Sequence, residues 1–261
     1  MKKHKWLTIV GLVVILGSWI LLTTINPQLV NLSISREATP EAMGAAGVYL
    51  CKTSGDVTAD NCQGPITSNQ GSMQSGFNDA VNYVVFKNSD GSRYGVVLHK
   101  DQDYRGGCEP IISSGADSQS VPVSSLASQV SSVTVFQYAP PAGGGVSLYE
   151  CSNYECDTSK YTCDNNCTTG DGRVWGPYTN LESPTFRTNP YYTPDPKGAG
   201  IRSIKVDGKY LAVLGEGQGF ANRCEVFTVS DPDLTNNYIR DCGFTFSHIG
   251  CFDAVDVIPI K

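Results

Sequence analysis

The chain has 261 residues, with 19 Lys and Arg against 25 Asp and Glu, and its net charge of −6 sets it against phosphate backbones, so nucleic-acid binding is not expected. Three histidines, none in an HExxH pattern, and the absence of a GxSxG or phosphate-cradling loop leave no motif for catalysis, and the chain is read as a non-enzyme. Ten cysteines, even in number and all beyond the first 50 residues, fit an oxidising compartment and a disulfide framework.

Residues 1–5, "MKKHK", precede an uncharged stretch at 6–25, "WLTIVGLVVILGSWILLTTI". At about 1.5 Å per helical residue this stretch spans roughly 30 Å, one hydrocarbon core. Lys2, Lys3 and Lys5 before it, with no basic cluster after it, predict a cytoplasmic head of five residues and an extracytoplasmic remainder. A cleaved signal peptide would show a shorter apolar run and a small-residue cleavage site. "LLTTINPQL" offers none, so the segment is read as a membrane anchor. Setting the three head lysines aside takes the basic residues from 19 to 16, against 25 acidic ones, on the exposed part.

Residues 26–44 read as a linker. Beyond them the chain has no long amphipathic helical pattern, only short Val, Ile, Tyr and Phe runs between Gly, Asn, Asp, Ser and Pro, which predicts an all-β fold of many short strands. Strands open at "GVYL" (47–50), "GVVL" (95–98), "GVSL" (145–148) and "LAVL" (211–214), a fourfold repeat. Each unit closes on an alternating strand: "VNYVVF" (81–86), "SSVTVF" (131–136), "RSIKV" (202–206) and "VDVIPI" (255–260). Val133 with Val135, and Ile204 with Val206, then share one face. One such sheet cannot cover itself, so the units are expected to pair into domains at 45–139 and 144–261, joined by "PPAGGG".

The strongest repeat is ungapped. "YGVVLHKDQDYRGGCEP" (94–110) returns as "YLAVLGEGQGFANRCEV" (210–226), sharing Tyr94/Tyr210, Leu98/Leu214, Cys108/Cys224 and Glu109/Glu225, with Tyr104 matched by Phe220 and Gly106 by Asn222. A folded hairpin after the strand needs a residue at positive φ, for which Gly106 and Asn222 are suited. Tyr104 and Phe220 would cover the bend. His99 is expected at the surface.

These residues resemble the βγ-crystallin Greek-key motif: strand, aromatic, then Gly with Ser or Cys two positions on. The resemblance implies two βγ-crystallin-like Greek-key double-sheet sandwich domains after an N-terminal transmembrane helix. It is closest in the second and fourth units. The first has "CKTSGDVTADNCQG" without an aromatic before Gly64; the third has Tyr149 and Tyr154 but Cys156 where Gly is expected, and an inserted Cys-rich loop at 157–199.

The resemblance also implies calcium, bound in microbial members through an Asn/Asp pair, two variable residues, then Ser/Thr and Ser. The first unit, "NDAVNY" (78–83), keeps the acidic pair; the second, "ASQVSS" (127–132), keeps the serines. Asn78, Asp79, Asn82 and Ser131 are therefore the candidate calcium ligands, and a hard cation would want six or more such oxygens. "GAGIRS" (198–203) and "FDAVDV" (252–257) are poorer matches.

In the inserted loop, Asp164, Asn166 and Asp171 precede Trp175 and Tyr178, a candidate recognition surface for sugar or protein. The disulfide candidates are Cys51, Cys62 and Cys108 in the first domain and Cys151, Cys156, Cys163, Cys167, Cys224, Cys242 and Cys251 in the second. Both counts are odd, so full oxidation requires a bridge between the domains or leaves thiols free. The expectation is a non-catalytic, extracytoplasmic, surface-anchored binding or structural module, binding calcium weakly, with a protein or carbohydrate ligand. A peptidase inhibitor or carbohydrate-binding surface protein is the alternative.

Overall fold

The computed structural model describes residues 44–89, 91–149, 152–154, 174–178, 203–216, 220–239 and 254–261. The anchor read at 6–25 lies outside them, as do the head and all but the last residue of the linker. Among the described residues no helix is long and apolar enough to cross a membrane.

Four antiparallel sheets form from the short apolar runs. In the first half of the described chain, β1 (Gly47–Cys51) is flanked by β2 (Cys62–Ile66) and β3 (Tyr83–Lys87), and β4 (Arg93–His99) by β5 (Cys108–Ile112) and β7 (Ser132–Tyr138). The remaining strand, β6 (Ser118–Pro122), follows β5 in sequence but leaves its own sheet to pair with β3, extending the order β2-β1-β3-β6. In exchange, Gln70 of the first unit crosses to bridge Val133 of β7. Each unit is a Greek key whose third segment completes the sheet of its neighbour.

The described residues of the second half follow the same plan in part. Here β8 (Gly145–Tyr149) lies between β9 (Val174–Tyr178) and β10 (Ser203–Asp207), while β11 (Tyr210–Glu216) lies between β12 (Arg223–Phe227) and β13 (Ala254–Pro259). Asp231 crosses from the fourth unit to bridge Ile204 of β10.

Strand β9 corrects the reading of 157–199 as one uninterrupted loop. "VWGPY" is the counterpart of "CQGPI" in β2. Val48 faces Ile66 and Leu50 faces Gln63 across a bulge, just as Val146 faces Tyr178 and Leu148 faces Trp175. The glycine of each Gly-Pro step permits the close approach. A Cβ on Gly64 would lie 2.6 Å from the Tyr49 ring, and one on Gly176 would lie 2.4 Å from the Val146 carbonyl oxygen.

Each half has its own core. Val48, Leu50, Val84, Phe86, Tyr94, Val96, Leu98 and Val133 meet in the first; Val146, Leu148, Ile204, Tyr210, Ala212, Leu214, Val255 and Val257 meet in the second. The expected shared faces form, with Val135 packed beside Val133 and Val206 beside Ile204. The alternate residues of β4, β11 and β13 do not face water. Val97, Leu211, Val213, Ala254 and Ile258 join Phe136 and Phe220 in a third cluster where the halves meet. Both faces of β4 and β11 are thus buried, which is why these strands read as continuous apolar runs.

That burial corrects the placement of His99. It follows Val97 by two positions, so it points into the same junction, and it is 0% exposed rather than at the surface. The junction is also covalent: Cys108 is bonded to Cys224, while Cys51 is bonded to Cys62 across β1 and β2. Around the first bridge the Cys224 N–H donates to the Gly106 carbonyl at 2.8 Å, and farther along Lys261 N–H donates to the Gln137 carbonyl at 2.9 Å.

Cutting the Cys108–Cys224 bridge releases a closed loop with a sequence separation of 116 residues. Replacing both cysteines by alanine is expected to cost about 2 to 5 kcal/mol. Thermal unfolding of the oxidised double variant beside the parent checks this, and an unchanged melting temperature would contradict it.

Candidate functional site

The exchange of third segments brings "NDAVNY" (78–83) against "ASQVSS" (127–132) about an approximate twofold. The backbone shows it directly: Asp79 N–H donates to the Val130 carbonyl at 3.0 Å, and Ser128 N–H to the Val81 carbonyl at 2.9 Å. Asp79 and Ser128 occupy equivalent positions and share positive φ, 56° and 57°. Each therefore presents its side chain to the opposite segment.

Two clamps result. In one, Ser131 Oγ donates to Asp79 Oδ1 at 3.2 Å, and Asn78 Nδ2 donates to Asp79 Oδ2 at 2.6 Å. In the other, Ser128 Oγ donates to Asn82 Oδ1 at 2.9 Å, and Asn82 Nδ2 donates to the Lys52 carbonyl at 3.0 Å. Of the four calcium candidates, Asn78, Asp79 and Ser131 are thus gathered at one clamp, and Asn82 faces the other. Sequence reasoning passed over Ser128. Its signal was available, since Ser128 aligns with Asp79 when the two hexapeptides are superimposed.

The first clamp offers a carboxylate, an amide and a hydroxyl, the hard oxygen chemistry that calcium takes. With one carboxylate, and with the Asn78 amide nitrogen turned to Asp79, it is a partial ligand set for such an ion. The second clamp, lacking a carboxylate, does not fit.

A half-buried glutamate sets the approach to the clamps. Glu109 Oε1 accepts from Ser124 N and Oγ, each at 2.8 Å. Its Oε2 accepts from Ser125 N and Oγ at 2.8 Å and from Leu126 N at 3.0 Å. The carboxylate so fixes the turn that leads into Ser128 and Ser131. Burial alone would push its pKa up, but the bonds from Ser124, Ser125 and Leu126 outweigh it and hold the group below the usual range. The repeat partner Glu225 accepts from Asn237 Nδ2 at 3.0 Å and Tyr238 N at 3.1 Å. With fewer donors, its burial wins and its pKa is raised, with Asp231 adding to the effect.

The folded hairpins follow the resemblance with one correction. Gly106 takes positive φ, 76°, as expected, but Asn222 is not among the residues that do; in the fourth unit the aromatic Phe220 itself adopts φ 62°, as Tyr104 does in the second. The same corner recurs in the third unit, where Tyr154 at φ 58° meets Tyr149 edge-on with centroids 5.6 Å apart.

The strand exchange decides the architecture. The fold is a βγ-crystallin-like Greek key. The structure is similar to the solution structure of protein S complexed with calcium, at 13% identity over 83% of this chain and 100% of that one, with a TM-score of 0.27. It is likewise similar to Geodin, a beta-gamma crystallin from Geodia cydonium, at 14% identity over 83% and 99%, with a TM-score of 0.26. No family model and no curated protein matches the chain. At such overlaps the order β2-β1-β3-β6, not the superposition, carries the assignment.

Within this βγ-crystallin-like frame the other candidates separate. Asp164, Asn166 and Asp171 lie outside the described residues, as do Cys151, Cys156, Cys163, Cys167, Cys242 and Cys251. Trp175 and Tyr178 belong to β9 rather than to a loop, and Tyr178 is half-buried against the second core. Among the described residues no group of three His, Cys, Asp or Glu could hold a metal.

His99 is sealed in the junction, its Nε2 3.1 Å from Thr134 Oγ1 and its Nδ1 3.8 Å from Cys224 Sγ. Burial lowers its pKa to about 4. A base held neutral by burial contributes stability above its unfolded pKa of about 6.5 that is lost as pH falls toward the folded value. Glu109, with its folded pKa depressed, gives up its contribution only below about 4.3. Melting temperature is therefore expected to decline between about pH 6.5 and 4 in the parent and to decline less in His99→Gln. Melts recorded across that range check it; parallel curves for the two proteins would contradict it.

Proposed function

We propose that this protein is a non-catalytic binding or structural module, held outside the membrane by its N-terminal apolar segment, and that its Asp79 clamp binds calcium weakly. The carrying observation is the pairing of Asp79 and Ser131 from two different units at 3.2 Å. Each unit alone holds half of the resemblance's calcium pattern, and the exchange of segments brings the halves together. Asn78, Asp79 and Ser131 would hold the ion, and the remaining ligands calcium needs would come from backbone carbonyls or water. Binding to the folded state alone stabilises it by mass action.

The extracytoplasmic placement is supported by the apolar run at 6–25, by the lysines before it, and by the disulfides Cys51–Cys62 and Cys108–Cys224, which belong to oxidising compartments. A non-catalytic reading is supported by His99, the histidine within the described residues, being sealed away from solvent.

Calorimetric titration of the full-length oxidised chain with calcium, alongside melting with and without a chelator, tests the reading. Saturable heat and a raised melting temperature are expected, and both should disappear in Asp79→Ala. Ser128→Asp puts a carboxylate opposite Asn82 at a position where positive φ is tolerable for Asp. It is expected to tighten calcium binding about tenfold, a gain of roughly 1.4 kcal/mol. No heat in the parent together with none in Ser128→Asp would overturn the calcium assignment.

A further inference from the structure

Among the described residues three large apolar side chains are left exposed: Tyr104, Tyr238 and Val229. Tyr104 and Tyr238 come from different halves, yet they line one groove of about 390 Å³ at the junction; Val229 follows Thr228, which lines it too. A concave site of this volume, with aromatic walls and a few polar groups, falls within the roughly 300–1,000 Å³ of small-molecule sites.

The exposure of Tyr104 has a local cause. In the fourth unit Phe220 covers Gly215 so closely that a Cβ there would lie 2.1 Å from its ring, and Phe220 is 2% exposed. In the second unit His99 occupies the position of that glycine. Its imidazole meets the Tyr104 ring edge-on, with centroids 5.6 Å apart, and Tyr104 remains 36% exposed. One change, histidine for glycine, turns a ring that covers a strand into a ring that walls a groove.

Tyr238 is held from the other half. Its hydroxyl accepts the Gly106 N–H at 3.3 Å, the Arg105 guanidinium lies over its ring at 5.7 Å, and its backbone N–H is bound to Glu225. Tyr104 is tied by its own N–H to Ser132 Oγ at 3.0 Å. The Tyr238 hydroxyl and the Tyr104 backbone are therefore held before a ligand arrives, with the Tyr104 ring against His99, which limits the ordering cost of binding.

The groove is lined in addition by Asp103, Arg105, Glu225 and Thr228. Among the described residues neither Asp103 nor Arg105 is in a salt bridge. The Asp103 carboxylate accepts, the Arg105 guanidinium donates, and the Thr228 hydroxyl does both, so the lining matches a ligand rich in hydroxyl groups. The ring faces suit the C–H faces of a pyranose, which are apolar while the edges are polar. With Glu225 engaged by Asn237 and Tyr238, the Asp103 carboxylate disfavours an anion and the Arg105 guanidinium disfavours a cation. We propose that the groove between the halves binds a neutral oligosaccharide. This rests on the reading of the protein as a binding module and names a ligand class and a site for it, lined by residues other than those of the Asp79 clamp.

The experiment titrates the full-length oxidised chain, in a detergent without a sugar headgroup, with neutral hexaoses of glucose, mannose, galactose and N-acetylglucosamine. Saturable binding of at least one is expected, weakened about tenfold or more by Tyr104→Ala and by Tyr238→Ala. His99→Gly restores the glycine of the fourth unit and lets Tyr104 turn inward, so it should weaken binding with both tyrosines still present. If that variant does not fold, the tyrosine variants decide. No binding from any hexaose, an affinity in both tyrosine variants equal to the parent's, or competition at this groove only by an anionic glycan or a protein would overturn the proposal. A calcium response without saccharide binding would overturn the groove alone, whereas saccharide binding without a calcium response would overturn the clamp alone.

Discussion

Burial of both faces of β4 and β11 is the constraint on which the rest of the molecule depends. On one face Tyr94, Val96 and Leu98, or Tyr210, Ala212 and Leu214, close the core of their own half; on the other Val97, or Leu211 and Val213, close the junction. A strand in that position has no solvent side on which to place a polar residue freely. Any polar group it carries must be partnered, and His99 is, between Thr134 and Cys224. The disulfide from Cys108 to Cys224 sits where the apolar junction already brings the two halves together, so covalent and hydrophobic restraints act on the same contact.

The second organising feature is the exchange of third segments between neighbouring units. It makes each clamp a joint product of two units, and the equivalence of Asp79 with Ser128 and of Ser131 with Asn82 follows from the approximate twofold between them. The equivalence is one of backbone, not of chemistry. A carboxylate stands in one clamp and a hydroxyl in its counterpart, so two sites of similar shape differ in what they can hold.

The same asymmetry governs the folded hairpins and the glutamates behind them. Glu109 and Glu225 each brace a turn, but Glu109 receives five hydrogen bonds from Ser124, Ser125 and Leu126 and is held charged below the usual range. Glu225 is less well supplied, and its burial dominates. One turn leads to the clamps and the other delivers Tyr238 to the junction. Histidine in place of glycine at position 99 then exposes Tyr104 beside it. Small departures within a repeated frame have produced distinct surfaces from one backbone plan.

Local pattern alone determined that the chain beyond the linker is all-β where it is described, that it is built of four repeated units, and that Tyr104 and Phe220 mark equivalent bends, because strand alternation and turn chemistry act over a few residues. The shared Gly-Pro step of "CQGPI" and "VWGPY" escaped the sequence reading, because a long insertion separates β8 from β9. Only the tertiary structure decided that His99 is buried, that Asn82 faces Ser128 rather than Asp79, that Cys108 bonds Cys224, and that Tyr104 and Tyr238 share a groove. Each of these joins residues from different units or different halves. Periodicity reports which face of a strand is apolar, but not which neighbour will cover it. For β4 and β11, covered on both sides, that choice of neighbour is what makes the site.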